Sequence, residues 1–227
     1  MWLFPKPSRV HFPSVSAKRL PFKLVEVESW KIRKIVLDEN CFIDIGALIK
    51  GPVYIGKHSK INPGAKIRGP VSIGPYSKIG GEIEDSIIQG FSNKQHDGFL
   101  GHSYIGEWVN LGANTNTSDL KNNYSNIRMK INQDDIIETN KMFIGSIIGD
   151  FTKTAISTRL NSGTFIGTGS NIFNNSFIDK FIPSFSWGRE DRVGLNRFLN
   201  SSIKMMNRRD LDMNEALKER LIQLYQK

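Results

Sequence analysis

Residues 43–80 read "IDIGALIKGPVYIGKHSKINPGAKIRGPVSIGPYSKIG". Isoleucine recurs there at every sixth position, as Ile43, Ile49, Ile55, Ile61, Ile67, Ile73 and Ile79. A six-residue period suits neither a helix of about 3.6 residues per turn nor an ordinary hairpin sheet. It suits a parallel β-helix, in which each hexapeptide is one short strand and one turn. Three hexapeptides make a triangular coil of about 18 residues, and each inward aliphatic side chain stacks on its equivalent in the next coil. Glycine follows directly at Gly56, Gly74 and Gly80, where a small residue relieves crowding at the turn. The expected fold class is mainly β: a left-handed parallel β-helix with a protruding loop or hairpin and a C-terminal helical extension.

The frame then slips. Ile87, Phe99, Ile105 and Leu111 define a second six-residue frame, and Ile148, Thr154, Leu160, Ile166, Ile172 and Ile178 a third. Residues 114–141 break the hexad between them. Ile127, Met129 and Ile131 alternate, "NQDD" reads as a turn and "IIET" follows, so this stretch is expected to be a polar loop and hairpin thrown out from the coil. Long excursions from a rigid scaffold usually carry function. After Gly188 the pattern is helical. Leu195, Phe198, Leu199, Ile203 and Met206 share one helical face. "DMNE" at 212–215 resembles a capping box, ahead of a second stripe of Leu217, Leu221, Leu224 and Tyr225. These helices are expected to cover the open last coil. The domain organisation is therefore an irregular segment at 1–35, a β-helix at 36–188 with its loop or hairpin at 114–141, and C-terminal helices at 189–227.

Composition narrows the class. Hydrophobic residues make up 39% of the 227 and charged residues 23%, as in a soluble globular protein. No apolar run approaches the roughly 18 residues of a spanning helix. The proline-interrupted N-terminus lacks a signal-peptide core and reads as mature sequence. One cysteine, Cys41, excludes an intrachain disulfide and a cysteine metal cage, and it fits a cytoplasmic location. The net charge is +9, of which residues 1–40 and 189–227 carry +7. Basic ends suit anionic partners, but the aromatic interleaving of a nucleic-acid stacking platform is absent, so neither nucleic acid nor membrane is expected as a partner.

The middle of the chain goes further. "HDGFLG" (96–101), "WVNLGA" (108–113), "SDLKNNY" (118–124) and "KFIPSFSWG" (180–188) occur in that order. Together they resemble the acetyltransferase half of the bifunctional enzymes that make UDP-N-acetylglucosamine, a step of nucleotide-sugar biosynthesis. That half acetylates glucosamine-1-phosphate from acetyl-CoA. The chain begins almost at the β-helix, with no room ahead of it for the nucleotidyltransferase domain of those enzymes. The resemblance implies an acetyl-CoA-dependent N-acetyltransferase acting on an amino-sugar phosphate. It also implies a homotrimer in which one subunit's loop meets the next subunit's coil.

An amine attacking a thioester must lose a proton, and imidazole, with a pKa of about 6.5, suits that task near neutral pH. The resemblance places the general base at His96. His102 lies one hexad on, on the next face, with no role assigned. For the sugar phosphate the first candidate is Lys94, two residues before His96, followed by Arg68 and Lys78. The resemblance places Asn123 and Tyr124 against substrate. The glycine-bearing turns "FIGS" (143–146) and "NSGTFIGTGS" (161–170) offer backbone donors for the oxyanion and a track for pantetheine. Ser146, Gly163 and Gly167 are the cofactor candidates there. Trp187 suits either stacking on adenine or a subunit contact. No metal is expected in the catalytic step: a zinc enzyme on this fold needs three histidines, and His11 and His58 lie far in sequence from His96 and His102. Two alternatives stay open. One is acyl transfer to another amino sugar or a hydroxyl. The other is a non-catalytic scaffold or regulatory subunit of a separate nucleotidyltransferase.

Overall fold

The computed structural model describes residues 34–173, 178–189 and 191–227. Short parallel strands stack into a solenoid with three faces. Face A holds eight strands in register, at Ile35–Leu37, Val53–Ile55, Val71–Ile73, Ile87–Ile88, Tyr104–Ile105, Ser146–Ile148, Thr164–Ile166 and Phe181–Ile182. Eight coils follow from that count. Face B runs through Phe42–Ile43, Lys60–Ile61, Lys78–Ile79 and Asn93–Lys94, bridges through Asn110, and continues at Lys153–Thr154, Asn171–Ile172 and Ser186–Trp187. Face C holds Leu48–Lys50, Lys66–Arg68, Glu82–Glu84 and Phe99–Gly101, followed by the pair Asn116–Thr117 and Arg159–Leu160. The irregular segment expected at 1–35 lies, except for its last two residues, outside the described residues.

The core is the column of inward side chains that the hexad prescribes. Ile55, Ile61, Ile67, Ile73 and Ile79 are fully buried, as are Ile148, Leu160, Ile166 and Ile172. Ile43 is 38% exposed because it belongs to the first coil and has a neighbour on one side only. The second frame holds at Ile105 and Leu111, which are buried, and differs by one residue at its first two members. Ile88 and Leu100 point inward, while Ile87 is 46% exposed and Phe99 is half-buried. The cause is coil length. The inward steps Ile79 to Ile83, Ile83 to Ile88 and Leu100 to Ile105 span four, five and five residues. In a strand a one-residue change flips the outward and inward sets.

The coil also continues further than expected before the excursion. Asn116–Thr117 still pairs with Arg159–Leu160, so the chain leaves face C after Thr117 and rejoins face A at Ser146. The expected hairpin forms, with Arg128–Lys130 antiparallel to Ile136–Glu138. Asn132 Oδ1 accepts from the N–H groups of Asp134 and Asp135 and fixes its turn.

At the corner between faces A and B, six of the eight coils present a ring-bearing residue in the left-handed backbone region: His58, Tyr76, Phe91, Trp108, Phe151 and Phe185. Side chains pay a penalty there. Here they are rings, and they form a ladder. Tyr76, Phe91 and Trp108 stack nearly parallel, with centroids 5.1 and 4.4 Å apart, and His58 stacks on Tyr76 at 4.7 Å. Gly169 leaves a gap in the ladder, and a Cβ there would lie 2.8 Å from the Phe198 ring. Phe198, from helix α1 (Leu195–Asn207), fills that gap edge-on to Phe151 and Phe185. The helix therefore packs along the aromatic corner rather than only over the last coil, and Arg209 just beyond it bonds the Tyr76 carbonyl five coils back. Helix α2 (Glu215–Gln226) returns along α1 and brings Tyr225 to Phe185. Its N-cap is Asn214, which accepts from Leu217 N, so Glu215 opens the helix instead of closing a box from Asp212.

Truncating the buried ring that joins helix to ladder has a predictable cost. Phe198→Ala should lose about 3–5 kcal/mol of unfolding free energy in a denaturant titration. Ile156→Ala, at a side chain 74% exposed, should stay within about 0.5 kcal/mol.

Candidate active site

The four-residue step after Ile79 forces a tight corner at Gly80 and Gly81. The next coil keeps a full six-residue step from Lys94 to Leu100, so residues 95–98 arch over that corner. The approach is close. A Cβ on Gly80 would sit 2.1 Å from the Gln95 carbonyl oxygen, and one on Gly81 2.7 Å from both His96 O and Lys94 Nζ. Side chains larger than hydrogen are excluded at both positions, and Gly81 also has φ +70°.

Lys94 pairs in register with Ile79, so its side chain occupies the inward column of face B. It is 3% exposed, and its Nζ donates to Gly80 O at 3.2 Å and to His96 O at 2.7 Å. Burial lowers its pKa to about 8, against the opposing pull of Asp97. The sequence offers Lys94 as the first cation for the sugar phosphate, and in this single chain the residue is buried. The inward register points the ammonium into the coil, where it ties two successive corners together. Asn62 Nδ2 donates to Gln95 O and pins the arch from below. Gly98, at φ +120°, lets the arch pass the Thr115 carbonyl, which would be 2.2 Å from a Cβ. His96 is exposed at the crest of this held segment, and among the described residues no group hydrogen-bonds its imidazole.

The other candidates separate. Arg68 is clamped between Glu82 and Glu84 at 2.7 Å each, and Glu84 raises its pKa, so its charge is already matched. Lys78 stands outward on face B in register with Lys60 and Asn93. Burial lowers its pKa, and Arg209, Arg208 and Lys60 nearby add to the effect. Asn123 and Tyr124 lie at the start of the excursion. Asn123 Oδ1 accepts from Ser125 N, and Tyr124 is 67% exposed. The strand Phe99–Gly101 separates their corner from that of His96, so a single chain does not bring these residues together.

The backbone donors expected at the later turns are already engaged. Ser146 N donates to Ser103 Oγ, Gly163 N to the Ile144 and Gly145 carbonyls, and Gly167 N to Ile182 O. All three residues are buried. Inter-coil pairing thus takes up the N–H groups that the sequence offered as oxyanion donors, while Ser146, Gly163 and Gly167 remain candidates for cofactor contact only through other atoms. The Arg197 guanidinium lies 4.3 Å from the Trp187 ring centroid, and Phe173 meets that ring edge-on, so one ring face is covered.

One cluster escapes sequence reading. His102 Nδ1 lies 2.8 Å from Asp119 Oδ2 and its Nε2 lies 3.6 Å from Asp85, while its ring stacks on Phe143 at 5.1 Å. Asp119 and Phe143 mark the two ends of the excursion, where Leu120 and Phe143 bridge. His102 thus fastens the loop's root to the coil. Only the shortened step at 100–105 signals this corner in the sequence. Among the described residues no group of three or more His, Cys, Asp or Glu forms a metal cage. None of their helices is long and apolar enough to cross a membrane.

Comparison with known proteins fits this picture. Residues 34–69 match the family model of the bacterial transferase hexapeptide (six repeats). "Bifunctional protein GlmU" of Methanococcus aeolicus is 33% identical over 114 residues, 49% of this chain and 27% of that protein. "Bifunctional sugar-1-phosphate nucleotidylyltransferase/acetyltransferase" of Sulfurisphaera tokodaii is 30% identical over 181 residues, 70% of this chain and 45% of that protein. The chain therefore spans less than half the length of either relative. Among solved structures, a putative acetyltransferase of Bacillus cereus aligns over 86% of this chain and 94% of its own, at 17% identity and a TM-score of 0.43. The chain belongs to the hexapeptide-repeat β-helix proteins. Within that family it is related to the GlmU proteins.

The buried Lys94 has a pH signature. Its folded pKa of about 8 lies below the ordinary 10.5, so between those values the unfolded chain holds a proton that the folded chain has shed. Stability then rises with pH across that window. The denaturant midpoint of the intact chain should gain between about pH 7.5 and about pH 10 relative to Lys94→Met, which lacks the group.

Proposed function

We propose that the chain transfers the acetyl group of acetyl-CoA to the amine of an amino-sugar phosphate, glucosamine-1-phosphate or a near relative, with His96 as the general base. The observation that carries this reading is His96 itself. It is an exposed imidazole without a protein partner, on an arch held by Lys94, Asn62 and two glycines. The amine nitrogen attacks the thioester carbonyl while His96 takes one of its protons. The C–S bond then breaks, and the proton passes to the CoA thiolate. The N–H groups of His96, Asp97 and Gly98 donate to no protein group among the described residues, and they are the donors left at this corner for the oxyanion. Lys78 supplies positive charge toward the sugar phosphate. The product, an N-acetylated sugar phosphate, suits a following uridylyl transfer, and a cytoplasmic location fits these substrates.

The working form in this reading is a homotrimer with sites between subunits. Asn123 and Tyr124 would meet the His96 of a neighbouring subunit, because within one chain face C lies between them. Face A supports such an interface. Its outward column runs Val36, Tyr54, Ser72, Ile87, Tyr104, Ile147, Phe165 and Phe181, in register. Tyr54, Ile87 and Tyr104 are 39–46% exposed in the single chain. A contiguous apolar stripe of that kind marks an interaction surface.

Two measurements test the proposal. CoA release from acetyl-CoA with glucosamine-1-phosphate should fall at least ~100-fold in His96→Ala. Unchanged turnover in the variant would remove His96 from the mechanism. No turnover in the intact chain with a panel of amino-sugar phosphates would remove the reaction. Light scattering should give a trimer mass for the intact chain and a monomer mass for Tyr104→Lys/Ile147→Lys; the same mass for both would sink the face A interface.

A further inference from the structure

Three cations meet on face B from opposite ends of the chain. Lys60 and Lys78 stack in register on adjacent coils, both directed outward. Arg209, just past helix α1, donates from Nη1 to Tyr76 O at 2.7 Å and from Nη2 to Asn93 Oδ1 at 2.8 Å. Asn93 is the next outward residue after Lys78 in the same column. Those bonds hold the guanidinium beside Lys78 and use two of its five N–H groups. No carboxylate pairs with Lys78 or Arg209 among the described residues. Lys60 pairs with Asp44 at 3.7 Å. Arg208 adds further positive charge. Face C handles its cation differently, surrounding Arg68 with two glutamates. Like charges with no carboxylate between them, as at Lys78 and Arg209, cost free energy when held together, and the two hydrogen bonds that Arg209 donates hold them so.

We propose that Lys60, Lys78 and Arg209 form a phosphate-binding site that the C-terminal helices complete, and that it receives the phosphoryl group of the acceptor sugar. A guanidinium fork with two flanking ammonium groups matches a phosphate dianion. The ligand assignment rests on the acetyl-transfer reading above. Position favours the acceptor over the cofactor. Asn93 precedes His96 by three residues, at most about 10 Å even for extended chain. That is close to the span of a base reaching an amine on the sugar whose phosphate is held. It is too short for an extended pantetheine arm between the thioester and the phosphates of CoA. The site also gives the C-terminal helices a second task, since they carry one of its three cations.

Calorimetry on the full chain tests this. Glucosamine-1-phosphate should bind the intact protein. Binding should weaken at least tenfold in Lys78→Gln and in Arg209→Gln, and it should weaken with added salt. Glucosamine without phosphate should bind no better than it does to those variants. Affinity for acetyl-CoA should stay unchanged throughout. Because Arg209→Gln can also loosen the helix, Lys60→Gln serves as a second exposed variant, with melting curves for all. Undiminished sugar-phosphate binding in Lys60→Gln and Lys78→Gln would overturn the site. Lost affinity for CoA but not for dephospho-CoA would reassign it to the cofactor and overturn the acceptor assignment. If the intact chain binds inorganic phosphate through Lys78 and Arg209 yet acetylates no amino-sugar phosphate, the acetyl-transfer reading fails while the phosphate site stands.

Discussion

Every coil of this protein must place the same kind of side chain at the same height as the coil below it. Strands about 4.8 Å apart leave no room for a mismatch. The isoleucine column meets that requirement by stacking one shape on itself. The ring ladder at the corner meets it with flat groups in backbone conformations that side chains usually avoid. Buried hydroxyls meet it at the turns, where Ser59 and Ser92 bridge the backbone of successive coils. The fold's stability is thus nearly one-dimensional, with each layer supported by its neighbours.

The candidate site lies where that regularity is broken. Coils of uneven length put a tight glycine corner under a full-length one. A lysine then takes the inward place that isoleucine holds in the three coils before it. A buried ammonium is tolerated only with carbonyl oxygens around it, and the two it finds belong to the corners it joins. Irregularity therefore produces a stiff projection instead of a loose loop. The second break, after Thr117, releases the excursion, and His102 with Asp119 and Phe143 closes its root.

The three faces divide the remaining work. Face A is apolar on the outside as well as the inside, and suits contact with protein. Face C neutralises its charges internally, with Arg68 between two glutamates. Face B keeps a positive column of Lys60 and Lys78, to which the C-terminal helices bring Arg209. The helices are more than a cover for the last coil, because Phe198 fills the Gly169 gap and Arg209 reaches back to the third coil.

By itself the sequence determined the solenoid. A six-residue period admits one architecture, and the first and third frames name their inward residues, from Ile55 to Ile79 and from Ile148 to Ile178. It also marked the hairpin and both helices, whose periodicities differ from the hexad. Only the tertiary structure decided the second frame, because a four- or five-residue step does not say on which side of the turn the residue is lost. That ambiguity moved Ile87 outward and Lys94 inward. The partners of Arg68, Ser146, Gly163 and Gly167 were hidden for a related reason: they sit 14 to 43 residues away in sequence, on adjacent coils. Arg209 meets Tyr76 across 133 residues. A local pattern records which residues share a face. It does not record which hydrogen-bond donors and charges the next coil has already taken, and that accounting decides what is left to bind a substrate.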